Sequence, residues 1–222
     1  MFERVASLLG ENNLEKINNT TVLVVGLGGV GGYAVEALVR SGIGNIILID
    51  HDMVDITNLN RQIISLSSNV GEYKTELFKE RILEINPNCN VIVHNIFLDI
   101  NTINLLDNYH IDYIVDACDT TATKKLLIDY SLDKQIKLIS CMGTANKLDS
   151  TKLEITDIRK TPYDPLAKIL RKYVLDKKIN NKIMVVSSTE MPVKNPNLSS
   201  MIFVPATAGI LCANYIIKEI IK

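Results

Sequence analysis

The stretch VLVVGLGGVGGYAVEALVRSGIGNIILIDHDMVDITNLNRQI, residues 22–63, begins with an apolar run of strand length and turns through a cluster of glycines. It then continues with helical spacing and closes on a second apolar run that ends in an acid. Strand, Gly-rich turn, helix, strand is the opening of a crossover unit in a parallel sheet. Gly26, Gly28 and Gly31 spell G-x-G-x-x-G directly after the first strand. Glycines there permit a tight turn and let the backbone approach a phosphate at a helix N-terminus. Asp50 closes the second strand 19 residues beyond Gly31, where a carboxylate accepts hydrogen bonds from a ribose hydroxyl. On its own this pattern belongs most often to NAD-dependent oxidoreductases.

Outward from this unit the same rhythm continues. Strand candidates at 21–25, 45–50, 90–97, 112–117 and 137–141 alternate with helical patterns at 31–41, 72–85, 101–108 and 120–135. The expected fold class is α/β, a Rossmann-like doubly wound, mostly parallel sheet. Past Gly143 the pattern changes to strands at 152–158 and 182–187. Asp164-Pro165 opens a helix that runs to about residue 175, with Asp as cap and Pro at the first helical position. Residues 180–200, rich in Asn, Ser and Pro, read as loop around one strand, and a last helix covers 206–222. One domain, 1–222, is expected, with a nucleotide-binding core in 1–145 and a substrate-facing C-terminal part in 146–222. The apolar run 201–217 is interrupted by Asn214 and Tyr215 and falls short of the roughly 20 residues a bilayer span needs. It reads as a packing helix rather than a membrane anchor.

The 222 residues are 47% hydrophobic and 22% charged, the composition of a globular chain. The start lacks the apolar core and cleavage site of a secretory signal. Cys89, Cys118, Cys141 and Cys212 are scattered, without CxxC or Cys/His spacing, so no zinc site and no disulfide framework is expected. Reduced thiols used as small apolar residues fit a cytoplasmic protein. Charge is distributed unevenly. Residues 159–182 hold eight basic side chains against two acidic ones, +6, while the rest of the chain carries −7. One face is thus suited to a polyanion.

Beyond the glycines, Asn58, Asn60, Arg61 and Gln62 crowd the loop after the second strand and Lys74 opens the next helix. Arg61 supplies a planar fork of donors and Lys74 a point charge, two complementary ways of neutralising phosphoryl oxygens. Asp119, just past the fourth strand, suits Mg²⁺ held with water and phosphate. A triphosphate explains this set better than a nicotinamide cofactor does.

The chain resembles the family of ThiF, MoeB and the adenylating domains of ubiquitin-activating enzymes, through residues 22–63, NVGEYKTE (69–76) and VDACDTTATK (115–124). The resemblance implies ATP and Mg²⁺ as cofactors and adenylation of a carboxylate. It implies glycine-loop contacts at Gly28 and Gly29, ribose recognition by Asp50, phosphate contacts by Asn58, Arg61 and Lys74, and magnesium at Asp119. In dimeric members an arginine near the N-terminus reaches the partner's ATP, and Arg4 in FERVASLLG matches that place, so a homodimer is implied. RKTPYDPLAKILRKYVL (159–175) followed by Ser188-Thr189-Glu190 is similar to the branch of the family that dehydrates threonylcarbamoyladenosine in tRNA. That branch adenylates the carboxylate of the modified nucleoside and then closes a ring with loss of AMP. Lys168, Arg171 and Lys172, at helical spacing, are the expected tRNA contacts. A sulfur-relay protein is a further partner the resemblance suggests. Competing expectations are activation of a ubiquitin-like sulfur carrier and a nucleotide-binding scaffold without turnover. The missing zinc pair and the basic helix count against the carrier, and intact Arg61, Lys74 and Asp119 count against the scaffold.

Overall fold

The computed structural model describes residues 1–222. Two short helices, α1 (Glu3–Leu9) and α2 (Glu11–Asn19), precede β1 (Thr21–Val25), α3 (Gly31–Arg40) and β2 (Asn45–Ile49). Then come α4 (Lys74–Ile85), β3 (Asn90–His94), β4 (Tyr113–Asp116), α5 (Thr121–Asp133) and β5 (Lys137–Cys141). The chain ends with β6 (Leu153–Asp157), α6 (Pro165–Asp176), β7 (Met184–Ser188) and α7 (Phe203–Ile220). All seven strands join one sheet in the order β3-β2-β1-β4-β5-β7-β6. Every pairing is parallel except β6 with β7. The expected fold class is the observed one.

The strands of the centre are runs of Val, Ile and Leu because both faces of the sheet are covered. On one face, Ala34, Leu38, Phe78, Ile82, Ala208 and Cys212 from α3, α4 and α7 form a core with Val22, Val24 and Ile46. On the other, Leu127, Ile128, Leu170 and Val174 from α5 and α6 pack against Leu23, Ile47 and Ile114. Register sets Val25 beside Ile49 and Asp116, and Ile49 beside His94, so the ends of β1 to β4 form one rim. Strand order reverses between β1 and β4, and the crevice outside that switch point is where open α/β sheets bind ligands.

Several boundaries differ from the sequence expectation. Residues 103–108 form a 3₁₀ helix, not an α-helix, and buried Ile103 and Leu106 stand three apart, the period of that turn. β3 stops at His94, and the chain then leaves the sheet so that residues 96–98 wall the crevice. α7 starts at Phe203, ahead of Pro205, which is tolerated because first-turn N–H groups need no helical partner. α7 is long and apolar enough to cross a membrane, but Val204, Ala208, Cys212, Ala213 and Ile216 are buried in the core. Asp164 caps α6 by accepting from Ala167 N at 2.8 Å, and its other oxygen takes Lys147 Nζ at 3.0 Å. Lys147 also donates to the Gly143 carbonyl at 2.6 Å, so a buried ion pair ties α6 to the end of β5.

Candidate active site

A cavity of about 290 Å³ opens at the switch point, between the Gly-rich turn, the end of β2, the loop before α4, residues 96–98 and the β4–α5 loop. Gly26 has φ +88°, and a Cβ there would stand 2.8 Å from the Ala117 backbone, so only glycine fits. Its N–H donates to the Ile49 carbonyl at 2.9 Å. A Cβ at Gly31 would lie 1.7 Å from the Gly26 carbonyl oxygen. Gly31 does not line the cavity; its place in the motif is to let α3 start against the turn, a correction to its expected role as a nucleotide contact. Gly28 and Gly29 do line it, with no protein atom nearer than 3.4 Å to their Cβ positions, so their backbone is open to a ligand. Gly31→Ala is expected to cost about 3 kcal/mol through overpacking against backbone that cannot yield. Urea unfolding checks this, and an unchanged midpoint would refute the contact.

Asp50 lies at the end of β2 and is nearly buried. One oxygen accepts from Leu27 N at 2.6 Å and the other from Asp52 N at 2.8 Å. These bonds fix the carboxylate and leave each oxygen a lone pair for a ribose hydroxyl. A small antiparallel clip follows: Val54 N to Glu72 O at 2.8 Å, Gly71 N to Val54 O at 2.9 Å and Lys74 N to Asp52 O at 3.2 Å. The clip delivers Lys74, the first residue of α4, to the cavity with only 3% of its surface exposed. Its Nζ meets Asp52 Oδ2 at 2.8 Å, a partner the sequence did not single out.

Asn58 and Arg61 come from a capped 3₁₀ turn. Asp55 accepts from Thr57 N, Asn58 Oδ1 accepts from Asp55 N at 3.1 Å and Asn58 Nδ2 donates to Thr57 Oγ1 at 3.5 Å, which fixes Asn58 in the cavity wall. Arg61 donates to Thr57 O at 2.8 Å and Asn60 Oδ1 at 3.0 Å, so the guanidinium is aimed but pairs with no carboxylate. Gln62 also lines the wall, with its Oε1 buried and unpartnered. Asp119 is exposed at the mouth, holds only the Thr120 hydroxyl at 3.3 Å, and has no cationic partner. Sequence reasoning also missed His51 and Phe97, whose rings meet edge to face at 5.0 Å and close the β2–β3 side. Phe97 follows a strand end like any other hydrophobe, and only the bend of residues 95–98 turns it to the site.

Behind the cavity, Asp116 and Lys124 form an ion pair at 3.0 Å with neither side chain exposed. Cys118 lines the cavity with its thiol 3.0 Å from Asp116 Oδ1. Burial and then the Asp116 carboxylate push that thiol far above the ordinary cysteine value, so it is not a thiolate nucleophile at neutral pH. Cys141 is buried and its thiol points to Met142 O at 3.3 Å.

Two of the expected groups, Arg4 and Arg171, lie outside the cavity of this chain. Arg4 is exposed on α1 and does not line its own chain's cavity. Arg171 is half-buried, and one of its guanidinium nitrogens, Nη1, donates to the carbonyl and hydroxyl of Thr161, while its charge meets no carboxylate. Lys168 and Lys172 remain exposed and unpaired on α6.

The model of the ThiF family matches residues 2–221. Over its whole length the chain is 40% identical to the tRNA threonylcarbamoyladenosine dehydratase of Bacillus subtilis (strain 168), covering 94% of that protein. It is 35% identical to the adenylyltransferase and sulfurtransferase UBA4 of Saccharomyces cerevisiae (strain YJM789), over 64% of this chain and 32% of that one. Among solved structures it superposes on the tRNA N6-threonylcarbamoyladenosine dehydratase of Escherichia coli, TcdA, in complex with ATP. The TM-score is 0.93 at 37% identity, covering 99% of this chain and 93% of the other.

Proposed function

The chain belongs to the ThiF family, and from that premise we propose that it is an ATP-dependent enzyme that dehydrates threonylcarbamoyladenosine in tRNA through an acyl-adenylate. The observation that carries this is the reach of the likeness. The dehydratase relative matches the whole chain, α6 and β7 included, whereas the sulfurtransferase relative matches 64% of it.

In this reaction the nucleoside's carboxylate attacks the α-phosphorus of ATP and displaces pyrophosphate. An internal nucleophile of the threonylcarbamoyl group then attacks the activated carbonyl and expels AMP, for a net loss of one water. The chain's share is positioning and charge neutralisation. Asp50 holds the ribose, the open backbone at Gly28 and Gly29 and the start of α3 receive phosphate oxygens, and Asn58, Arg61 and Lys74 supply donors and positive charge.

Charge on the cavity wall argues for a metal. Arg61 and Lys74 face Asp50, Asp52 and Asp119, so a polyphosphate meets more acid than base. Asp119 is an unpaired hard oxygen donor at the mouth, which fits Mg²⁺ kept with water and phosphate ligands. Such an ion would polarise the phosphoryl oxygens and neutralise the leaving pyrophosphate. The proposal extends to a homodimer in which exposed Arg4 serves the partner's cavity. It extends also to a cytoplasmic setting, where tRNA and ATP meet, and to a sulfur-relay protein as a further partner.

The test is nucleoside mass spectrometry on tRNA carrying threonylcarbamoyladenosine, incubated with the protein and Mg·ATP. The expected product is lighter by one water, dependent on ATP and abolished by a chelator. An unchanged nucleoside, with pyrophosphate released only on adding a ubiquitin-like carrier, would transfer the chain to the carrier-activating reaction.

A further inference from the structure

The nucleotide cavity does not end at its own rim. Phe97 and Thr123 wall it and also wall a groove bounded by residues 97–100, the outer face of α5 and the end of α6. Lys125 and Tyr173 line that groove and also a second recess, whose other walls are Lys168, Ile169, Lys172 and Asp176 of α6. Three depressions that share walls in sequence thus make one continuous track from the nucleotide to the basic helix.

The chemistry along the track changes in order. At the cavity end, Phe97 is 43% exposed and Ile100 70%, an apolar lip beside the nucleotide. In the middle, Tyr173 lies between two ammonium groups, Lys125 and Lys177, each 5.3 Å from its ring centroid. Its hydroxyl donates to Asp129 Oδ2 at 2.5 Å, and Lys177 pairs with the same oxygen at 2.9 Å, so the carboxylate in the groove's centre is already neutralised. At the far end Lys125, Lys168 and Lys172 have no carboxylate within ion-pair distance, and only Asp176 opposes them among the walls of that recess. Lys168 and Lys172 are one helical turn apart, about 5–6 Å between Cβ atoms. Ammonium groups without carboxylate partners beside the exposed apolar lip of Phe97 and Ile100 suit a nucleic acid strand, whose phosphates take the charge and whose bases pack on the lip.

We propose that this α5–α6 track, with Lys125, Lys168 and Lys172 as its phosphate contacts, is the docking surface for the tRNA strand that carries the modified nucleoside. The proposal rests on the dehydratase function and adds where the tRNA lies. Lys125, from α5, joins a contact set that the sequence confined to α6, and Arg171, which lines neither the groove nor the recess, is left out of it. The basic residues of 159–182 are not equivalent: Arg159 is held by Asp157 at 2.9 Å, and Lys160 and Lys182 line no part of the track.

The experiment compares Lys125→Glu and the double variant Lys168→Glu/Lys172→Glu with controls of matching charge change, Lys160→Glu for the single and Lys160→Glu/Lys182→Glu for the double. tRNA bearing threonylcarbamoyladenosine is titrated at several salt concentrations, and ATP affinity is measured alongside. Each track variant is expected to weaken tRNA binding by about 10-fold or more and to flatten its salt dependence by about one unit per lysine. The controls should stay within about twofold, and ATP affinity should not change in any of them. tRNA affinity unchanged in the track variants, or lowered as much in the controls, overturns the track while the wild-type reaction still stands. A wild-type protein that neither binds nor converts the tRNA overturns the function and the track together.

Discussion

Lys74→Ala is expected to lower turnover by about 10²–10³-fold or more while the protein stays folded. Removing one preorganised donor from a site of developing charge typically costs that much. The stability cost should be small, about 1 kcal/mol or less, because the partner left behind, Asp52, is 51% exposed and stays solvated. The backbone clip that delivers Lys74 uses main-chain groups only and survives the substitution. If the ammonium acts on charge that develops in the displacement, kcat falls further than KM rises. Lys74→Arg, which keeps the charge but cannot hold the same point geometry beside Asp52, should recover part of the loss. Steady-state kinetics with tRNA substrate, together with urea unfolding, checks both halves. Full turnover in Lys74→Ala would remove this residue from the reacting phosphate.

The Lys74–Asp52 pair also marks the limit of what could be read from the chain. That Lys74 opens a helix after a strand-loop unit was legible from periodicity. That its amine rests on Asp52 depends on residues 52–54 zipping against 71–74, a long-range pairing with no local signal. The β1–α3–β2 unit was legible because three independent features, strand composition, glycine spacing and the acid at residue 50, agree. α1 and α2 have little signature in the sequence: they are 7 and 9 residues long and bury only Ile17, too short a stretch to set up a clear apolar period. β6 was found as a strand, but its antiparallel direction was not, since it pairs at the sheet edge with β7 alone. Arg171 shows the same limit at a single side chain. Helical spacing set it beside Lys168 and Lys172, yet a half-buried guanidinium close to the Thr161 carbonyl takes that partner over solvent.

The largest effect on stability is expected at Lys124, which no catalytic reading of the sequence singled out. Its Nζ is fully buried and donates to Asp116 Oδ1 at 3.0 Å, Ser140 Oγ at 3.3 Å and Cys141 O at 2.8 Å. Ser140 Oγ in turn donates to Asp116 Oδ2 at 2.6 Å, so the ends of β4 and β5 are joined through one cation. Burial alone would push the ammonium down, but the Asp116 carboxylate holds it above the ordinary lysine value. A group whose folded-state value is raised contributes fully below the unfolded value and loses its contribution only as pH climbs through the raised one. The pair is therefore intact throughout the neutral range.

Lys124→Met leaves Asp116 charged, buried and uncompensated, and is expected to cost about 3–5 kcal/mol. Adding Asp116→Leu removes the stranded charge together with its acceptor oxygens and should return a substantial part of that stability. Turnover should not return with it, because Asp116 also anchors Cys118 N, at 3.3 Å, in the short loop that presents Asp119 to the cavity. Ala117 of the same loop lies directly against Gly26, so a loop released from Asp116 disturbs the Gly-rich turn as well. Urea unfolding of both single variants and the double variant closes the cycle. Equal destabilisation in the single and double variants would show that the charge left at Asp116 is not the cost. Wild-type kcat in a refolded double variant would show that the loop holds Asp119 without the ion pair.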